Sequence, residues 1–346
     1  MNSETDERTV DVHHYFFSLY SLFLYGYLIV PDVGRSLFFH RIRCRRGNGR
    51  RQELSNNHKG IGNKGKRSSG VTMDSALKKK IGRMIVAGFP SPAVDEQARR
   101  LVREFEVGNF VLFTRNIVSP EQTAELCEEL DALVAERGNS LAPMIGTDQE
   151  GGPVSRIHTG AGLFPGAMAL AASGVDSAYD VGYNCGRILR AMGVNANFAP
   201  VLDVNISPAN PIIGARAFSD DPALVARLGV EMMRGLKKAN VLSVVKHFPG
   251  HGNVSSDSHL GIPRNDTHRE VLEATEWMPF KRAFEAGADA LMTAHVCYTD
   301  VDKKLFATIS PALMHDLLRV HMGFSGLALT DCMEMGAVKD SVGTGE

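Results

Sequence analysis

The sequence has little cysteine and no paired-cysteine motif. Its cysteines are scattered along 346 residues, at Cys44, Cys127, Cys185, Cys297 and Cys332. None forms a CxxC pair or combines with histidine at a zinc-binding spacing, so the pattern excludes a disulfide framework and a zinc finger. Isolated thiols are typical of a reducing compartment, and we expect the protein to work in the cytoplasm.

Glycine-rich nucleotide-binding motifs are also missing. No GxGxxG follows the first strand candidate, and Gly250 and Gly252 lack the spacing of a Walker loop. The sequence therefore predicts neither a dinucleotide site nor a phosphate-cradling loop, and we expect no cofactor.

Charge divides the chain into two unlike parts. Residues 1–72 contain twelve Lys and Arg against six Asp and Glu, although the formal charge of the whole chain is −1. The remainder, 73–346, is therefore acidic. Because an acidic surface repels a phosphate backbone, we do not expect this part to bind nucleic acid.

The basic part opens with an apolar run. Residues 15–31 are uncharged over about the shortest length that can span a membrane. The stretch 35–67 follows with eleven Lys and Arg, opposed only by Glu53. One interpretation is a membrane anchor with a basic cytoplasmic flank, and the other is that Met73 is the true start. On either interpretation we expect 1–72 to be a poorly ordered extension outside the fold.

From residue 73 onward, short apolar runs alternate with longer amphipathic segments. The strand candidates are Arg83–Gly88, Phe110–Phe113, Pro143–Thr147, Asn197–Val204, Leu242–Lys246, Ala290–His295 and Gly326–Thr330. The helix candidates are Pro120–Arg137, Asp176–Met192, Pro222–Ala239, Arg269–Ala286 and Ser310–His321. Alternating strands and helices imply parallel pairing. The seven units predict an α/β fold over 73–346, a (β/α)8 TIM-type barrel that lacks its C-terminal final element, with a doubly wound sheet as the alternative.

Polar residues cluster where these strand candidates end. The segments in question are Asp148-Gln149-Glu150, Asp203, Lys246 to Gly252 (KHFPGHG), His295 and Asp331. Function in such a barrel lies at the carboxyl ends of the strands. The sequence therefore predicts an active site at that end of the barrel.

Two groups at these strand ends are candidates for a nucleophile and an acid/base. Asp331 ends an apolar strand at the barrel mouth, whereas Glu334 lies beyond it in the next turn. Asp257 and His259 are two residues apart on a glycine-rich loop, so the carboxylate can orient the imidazole as a proton shuttle.

A metal site is the competing interpretation of the histidines. His247 and His251 have a spacing that suits a helix, but Pro249-Gly250 lies between them and makes a helix improbable. We therefore expect no metal.

The segment KHFPGHGNVSSDSH resembles the signature of glycoside hydrolase family 3, in its β-N-acetylglucosaminidase (β-hexosaminidase) branch. The likeness covers about residues 81 to 338 and includes GTDQEGGPVSRI, NFAPVLDV, IIGARAFSDDP, MTAHVCY and ALTDCMEMGAV. It implies a retaining exo-β-N-acetylglucosaminidase that removes terminal β-linked N-acetylhexosamine from glycoconjugates or peptidoglycan fragments. The implied partner is a small carbohydrate, and the oligomeric state is not predicted.

The resemblance also assigns residues. Asp331 matches the nucleophile that forms a covalent glycosyl-enzyme, and His259, paired with Asp257, matches the acid/base. The residues that match holders of the sugar hydroxyls are Asp148, Arg156, Arg216, Lys246 and His247. Arginine and lysine suit this role because they donate charge-assisted, directional hydrogen bonds.

The sequence also departs from the family pattern. Pro153 replaces the usual arginine, Asn253-Val254 replaces Asp-Thr, and the chain stops fifteen residues after Asp331, where the family continues with further barrel elements. Three alternatives stay open: a β-glucosidase of the family, a glycoside phosphorylase, and a catalytically impaired fragment. Phosphorolysis is considered because a histidine acid/base does not repel phosphate as a carboxylate does.

Overall fold

Short strands and longer helices alternate along the chain, as the hydrophobic pattern predicts. The computed structural model describes residues 10–11, 26–30, 72–138, 141–158, 160, 162–174, 177–254 and 262–339. In chain order the strands are β1 Val10–Asp11, β2 Gly26–Val30, β3 Thr72–Met73, β4 Ile85–Ala87, β5 Asn109–Leu112, β6 Met144–Thr147, β7 Ala196–Asn197, β8 Leu242–Phe248, β9 Arg264–Asn265, β10 Ala290–Thr293, β11 Cys297–Tyr298 and β12 Leu327–Leu329. The helices are α1 Ser75–Arg83, α2 Glu96–Phe105, α3 Pro120–Ala135, α4 Ala167–Ala172, α5 Ala178–Ala191, α6 Pro222–Lys238, α7 Arg269–Ala274, α8 Trp277–Glu285, the π-type α9 Ala312–His321 and α10 Gly336–Lys339.

Local sequence signals explain where several helices begin. The Ser119 hydroxyl caps α3 by accepting from the backbone N–H of Gln122 at 3.2 Å, and Pro120 takes the first helical position. Asp95 and Asp221 cap α2 and α6 with their carboxylates. Proline suits the first turn because the N–H that it lacks would have no partner there.

Two of the predicted elements have different bounds in the structure. The predicted helix Arg269–Ala286 is wrong as a single element, because the backbone breaks at Thr275 between α7 and α8. Pro279 then falls in the first turn of α8, where it removes no helical hydrogen bond. The predicted strand Asn197–Val204 shrinks to β7, since Pro200 has no N–H to donate to a ladder.

Eight strands close into a barrel in the order β2, β4, β5, β6, β7, β8, β10, β12. Seven strands of this ring, β4, β5, β6, β7, β8, β10 and β12, are parallel wherever they pair with one another. The predicted (β/α)8-type barrel with seven parallel strands is therefore confirmed. A doubly wound sheet is excluded, because such a sheet is open and has two edges.

The eighth place in the barrel is taken by β2, from the segment that composition had set apart from the fold. β2 is antiparallel to both neighbours, β12 and β4. Although the composition of 1–72 predicts an extension outside the fold, residues 26–30 form a barrel strand, because an uncharged apolar run suits a buried strand as well as a membrane anchor. Among the described residues no helix combines the length and the apolarity that crossing a membrane requires. The rest of the run 15–31 lies outside the described residues, and the domain boundary at residue 72 stays a proposal.

The apolar core of the described residues consists of three clusters. Two clusters fill the space between the barrel and its surrounding helices. A third fills the barrel interior with the side chains of Tyr27, Val86, Val111, Phe198, Val244, Ala290, Met292, Leu329, Cys332 and Met335. Because side chains alternate along a strand, every second residue faces inward, and the topmost inward residues reach the site.

Candidate active site

A cavity of about 370 Å³ lies at the carboxyl ends of the barrel strands. Asp148 directly follows β6, Lys246 and His247 lie in β8, and Asp331 follows β12. Small-molecule sites have volumes of about 300–1,000 Å³, so the cavity is large enough for a small ligand. The predicted site residues that line it are Asp148, Arg156, Arg216, Lys246, His247 and Asp331.

Lys246 is buried between two carboxylates. Its Nζ lies 2.7 Å from Oδ1 of Asp148 and 2.7 Å from Oε1 of Glu150, and only 2% of its side chain is exposed. Burial alone would lower the pKa of Lys246, but the two carboxylates outweigh it and hold the pKa above its ordinary value. The ammonium group is therefore charged and fixed in position.

Two guanidinium groups extend this network. Arg216 binds Glu150 through two bonds, from Nε to Oε2 at 2.9 Å and from Nη2 to Oε1 at 2.8 Å. The Nη2 atom of Arg156 lies 3.5 Å from Oδ2 of Asp148. Burial would raise the pKa of Glu150, but Lys246 and Arg216 lower it to about 2. Glu150 is thus an ionised anchor, and its bidentate contact fixes the plane of the Arg216 guanidinium.

His247 is oriented by Asp203, which the sequence places at the strand ends without predicting a role for it. Its Nδ1 lies 2.7 Å from Oδ2 of Asp203, and its Nε2 lies 3.4 Å from Nη2 of Arg216. Burial would raise the pKa of Asp203, but His247 and the backbone N–H of His251 outweigh it and lower the pKa. A fully buried Asp203 therefore stays ionised beside the imidazole.

Asp331 is partly buried and is held by its own turn. Its Oδ1 accepts from the backbone N–H of Cys332 at 2.7 Å. Burial would raise the pKa of Asp331, but His247, His295 and that backbone N–H outweigh it, so the pKa lies below its ordinary value. His295 also holds the turn, because its Nε2 donates to the Cys332 carbonyl at 3.0 Å. An ionised carboxylate with a fixed backbone contact is suited to nucleophilic attack.

The loop after β6 is shaped by Gln149. Its side-chain oxygen accepts from the backbone N–H of Arg156 at 2.9 Å. The backbone N–H of Gln149 donates to the side-chain oxygen of Asn197 at 3.0 Å. Gly151 makes the tight turn with φ +92°, and a Cβ at that position would lie 2.3 Å from the Pro165 carbonyl oxygen. This compact turn brings Arg156 back beside Asp148.

The structure leaves part of the predicted site untested. Asp257 and His259 lie in 255–261, outside the described residues. Conversely, Glu150 and Asp203 belong to the site, although only their position at strand ends had drawn attention to them. The available signal was a carboxylate in the segment that follows a buried strand, on the same barrel end as the predicted cations.

The fold and the cavity define a class, a (β/α)8-type barrel with a charged small-molecule site at its strand ends. Within that class the chain belongs to glycosyl hydrolase family 3, because the family's N-terminal domain model matches residues 76–346. Beta-hexosaminidase of Thiobacillus denitrificans is 40% identical over 249 residues, which cover 69% of this chain and 67% of that protein. Beta-hexosaminidase A of Pseudoalteromonas piscicida is 35% identical over 257 residues, 69% of this chain and 43% of that protein.

Solved structures agree with this assignment. A family 3 β-N-acetylglucosaminidase from a Paenibacillus species has 44% identity and a TM-score of 0.76, covering 77% of this chain and 51% of that one. NagZ of Neisseria gonorrhoeae, in complex with N-trifluoroacetyl-D-glucosamine, has 32% identity and a TM-score of 0.67. The match covers 75% of this chain and 76% of that one. The chain therefore spans about half the length of the Paenibacillus protein and 43% of the Pseudoalteromonas one.

Proposed function

We propose that this chain is a retaining exo-β-N-acetylglucosaminidase, which hydrolyses terminal β-linked N-acetylhexosaminides. The observation that carries the proposal is that the Asp331 carboxylate lines the same cavity as Asp148, Arg156, Arg216 and Lys246. Ion pairs among these groups and with the buried Glu150 hold them in place. The names of the relatives support the substrate class, since they are β-hexosaminidases and β-N-acetylglucosaminidases.

Sugar binding is assigned to the network. Asp148 accepts hydrogen bonds from hydroxyls, whereas Lys246, Arg156 and Arg216 donate them. Because each cation is already held by a carboxylate, the network is organised before the sugar arrives. A site whose polar groups are buried in this way rejects analogues that leave one of them unpaired.

Asp331 is assigned the role of nucleophile. Its lowered pKa keeps the carboxylate ionised, so an oxygen lone pair is available to attack the anomeric carbon. As the new C–O bond forms, the bond to the leaving group breaks and the leaving oxygen takes a proton. The sugar is then joined to Asp331 as a glycosyl ester.

His259, paired with Asp257, is assigned the role of acid/base. In the first step it protonates the leaving oxygen. In the second step it takes a proton from a water molecule, whose oxygen adds to the anomeric carbon and displaces Asp331. Two displacements on the same carbon give retention of configuration.

Trapping the intermediate tests the proposal. A fluorinated N-acetylglucosaminide that slows the second step is expected to add the mass of one glycosyl group to the full-length chain. Peptide mapping is expected to place this group on Asp331. The Asp331→Asn variant is expected to lose labelling and turnover of an aryl β-N-acetylglucosaminide, whereas Glu334→Gln, its neighbour in the next turn, keeps labelling.

Product analysis tests the hydrolytic outcome. With phosphate present, free N-acetylglucosamine is expected as the main product. A sugar 1-phosphate as the main product would show that the reaction is phosphorolysis and not hydrolysis. A label on Glu334, or full turnover by Asp331→Asn, would overturn the nucleophile assignment.

A further inference from the structure

A side chain from outside the family-matched residues enters the cavity. Tyr27 lies in β2, opposite Val86 of β4, and Gly26 lies opposite Ala87. Because β2 is antiparallel to its neighbours, its N-terminal end is level with the carboxyl end of β4. This polarity brings Tyr27 close to the strand ends that carry the cavity.

Tyr27 is packed in a defined position. It is 5% exposed and belongs to the cluster that fills the barrel interior. Its ring contacts Phe198 with 5.3 Å between ring centroids and 58° between ring planes. It also lines the cavity together with Asp148 and Asp331. Since the ring is held by interior packing, its cavity-facing part keeps a fixed place relative to the two carboxylates.

The surroundings keep the Tyr27 phenol neutral. Burial raises its pKa well above the ordinary value, and the carboxylates of Asp148 and Asp331 raise it further. A neutral phenol keeps an O–H that donates to a hydroxyl or carbonyl oxygen, and it can also accept one bond.

Tyr27 also contributes to an apolar side of the cavity. Together with Met292 and Met335 it belongs to one apolar cluster that lines the cavity, whereas the network around Lys246 is charged. A sugar has polar hydroxyls and an apolar C–H surface. Small-molecule sites commonly combine apolar lining with a few directed polar groups, and tyrosine supplies both.

Building on the proposed function, we propose that Tyr27 is a substrate-contacting residue that packs its ring against the N-acetylhexosamine and donates its phenol O–H to one of the sugar's oxygens. Residue 27 lies outside the residues 76–346 that match the family model, so similarity to the relatives does not predict this contact. The strand β2 therefore serves the site as well as the barrel.

Two substitutions in the full chain separate the hydroxyl from the ring. Tyr27→Phe is expected to raise KM for an aryl β-N-acetylglucosaminide about fivefold, the effect of losing one neutral hydrogen bond, with kcat changed less. Tyr27→Ala is expected to raise KM at least about tenfold, because ring contact is lost as well. A purely structural role would instead lower the melting temperature and leave the KM of Tyr27→Phe unchanged.

Val86→Ala is the matched control. Val86 pairs with Tyr27 and belongs to the same interior cluster, but it does not line the cavity. Its truncation is expected to lower the melting temperature through a cavity in the core while KM stays at the wild-type value. If Val86→Ala raised KM as much as Tyr27→Phe does, the effect would belong to barrel packing and the inference would fail.

Ligand-induced stabilisation keeps this inference separate from the proposed function. Free N-acetylglucosamine is expected to raise the melting temperature of the wild-type chain, and less so that of Tyr27→Phe. If the wild type hydrolyses nothing but this difference appears, the inference stands and the proposed function fails. Wild-type KM and an undiminished sugar-induced shift in Tyr27→Phe would overturn the inference alone. No hydrolysis and no sugar-induced shift in the wild type would overturn both.

Discussion

The carboxylate of Asp203 and the imidazole of His247 form a buried pair at the cavity, with 2.7 Å between Oδ2 and Nδ1. The other carboxylate oxygen accepts from the backbone N–H of His251 at 2.6 Å, which fixes Asp203 in place. Because an ionised carboxylate only accepts, Nδ1 of His247 carries the proton of this contact, and Nε2 lies 3.4 Å from Nη2 of Arg216. Asp203 therefore holds a proton on Nδ1 and sets the orientation of the His247 ring.

Replacing Asp203 by asparagine is expected to lower kcat/KM for an aryl β-N-acetylglucosaminide at least about tenfold. The amide keeps the volume but can donate, so it no longer requires a proton on Nδ1. The matched control is Asp221→Asn, which changes the exposed cap of α6 and is expected to leave kcat/KM unchanged. Equal kcat/KM values for the two variants would show that His247 does not need Asp203.

The barrel was predictable from sequence for a local reason. Each parallel unit carries its own short apolar strand and amphipathic helix, and neighbouring units pair in chain order. The strand β2 had no such signal. It pairs with β4 and with the distant β12, and its apolar run does not alternate. Only the closed barrel shows that this apolar segment forms the strand between β12 and β4.

The site was predictable to a similar extent. Strand ends identified Asp148, Lys246 and Asp331 as neighbours, since the carboxyl ends of parallel strands meet at one end of a barrel. Which charged side chains pair with one another in the site was not predictable. Glu150 binds an arginine that lies 66 residues away in the chain, and Asp203 binds a histidine 44 residues away. Such pairs depend on three-dimensional packing, which local sequence does not encode.

Acid is expected to destabilise the protein through Glu150. Its folded-state pKa of about 2 lies below the ordinary value of 4.5, so the folded chain resists a proton that the unfolded chain accepts. The ionised contacts are fully present above about pH 4.5 and are lost as the pH falls toward 2. The shift corresponds to about 3 kcal/mol. Urea unfolding at pH 7, 4.5 and 3 measures this loss.

Glu150→Gln serves as the test of that acid dependence. It is expected to be less stable at pH 7, because Arg216 and Lys246 lose a partner, but to lose less further stability between pH 4.5 and 3. Glu128→Gln, an exposed change on α3, is expected to keep the wild-type acid dependence. An unchanged slope in Glu150→Gln would assign the acid sensitivity to another group.

Replacing Lys246 by methionine is expected to cost about 3–5 kcal/mol of unfolding free energy, because Asp148 and Glu150 lose the cation buried between them. The comparison is Lys237→Met, which breaks an exposed 2.8 Å ion pair with Asp289 and is expected to cost less than about 1 kcal/mol. Urea denaturation midpoints of the two variants measure the difference. Similar midpoints would mean that the buried network contributes no more than a surface pair.

Replacing Gly151 by alanine is expected to cut kcat/KM at least about tenfold. The new Cβ would meet the Pro165 carbonyl oxygen at 2.3 Å on a residue with φ +92°, so the turn must move. That turn sets where Arg156 returns toward Asp148, and small displacements of positioning groups are costly in a preorganised site. Gly174→Ala is the control. Gly174 also has a positive φ, of +66°, but a Cβ at that position would have no atom within 4 Å. It is expected to lose about 1 kcal/mol of stability and to keep its activity. Steady-state kinetics and thermal melts of both variants test this prediction. Equal losses of activity in the two variants would mean that backbone strain in general, and not the position of the Arg156 turn, causes the effect.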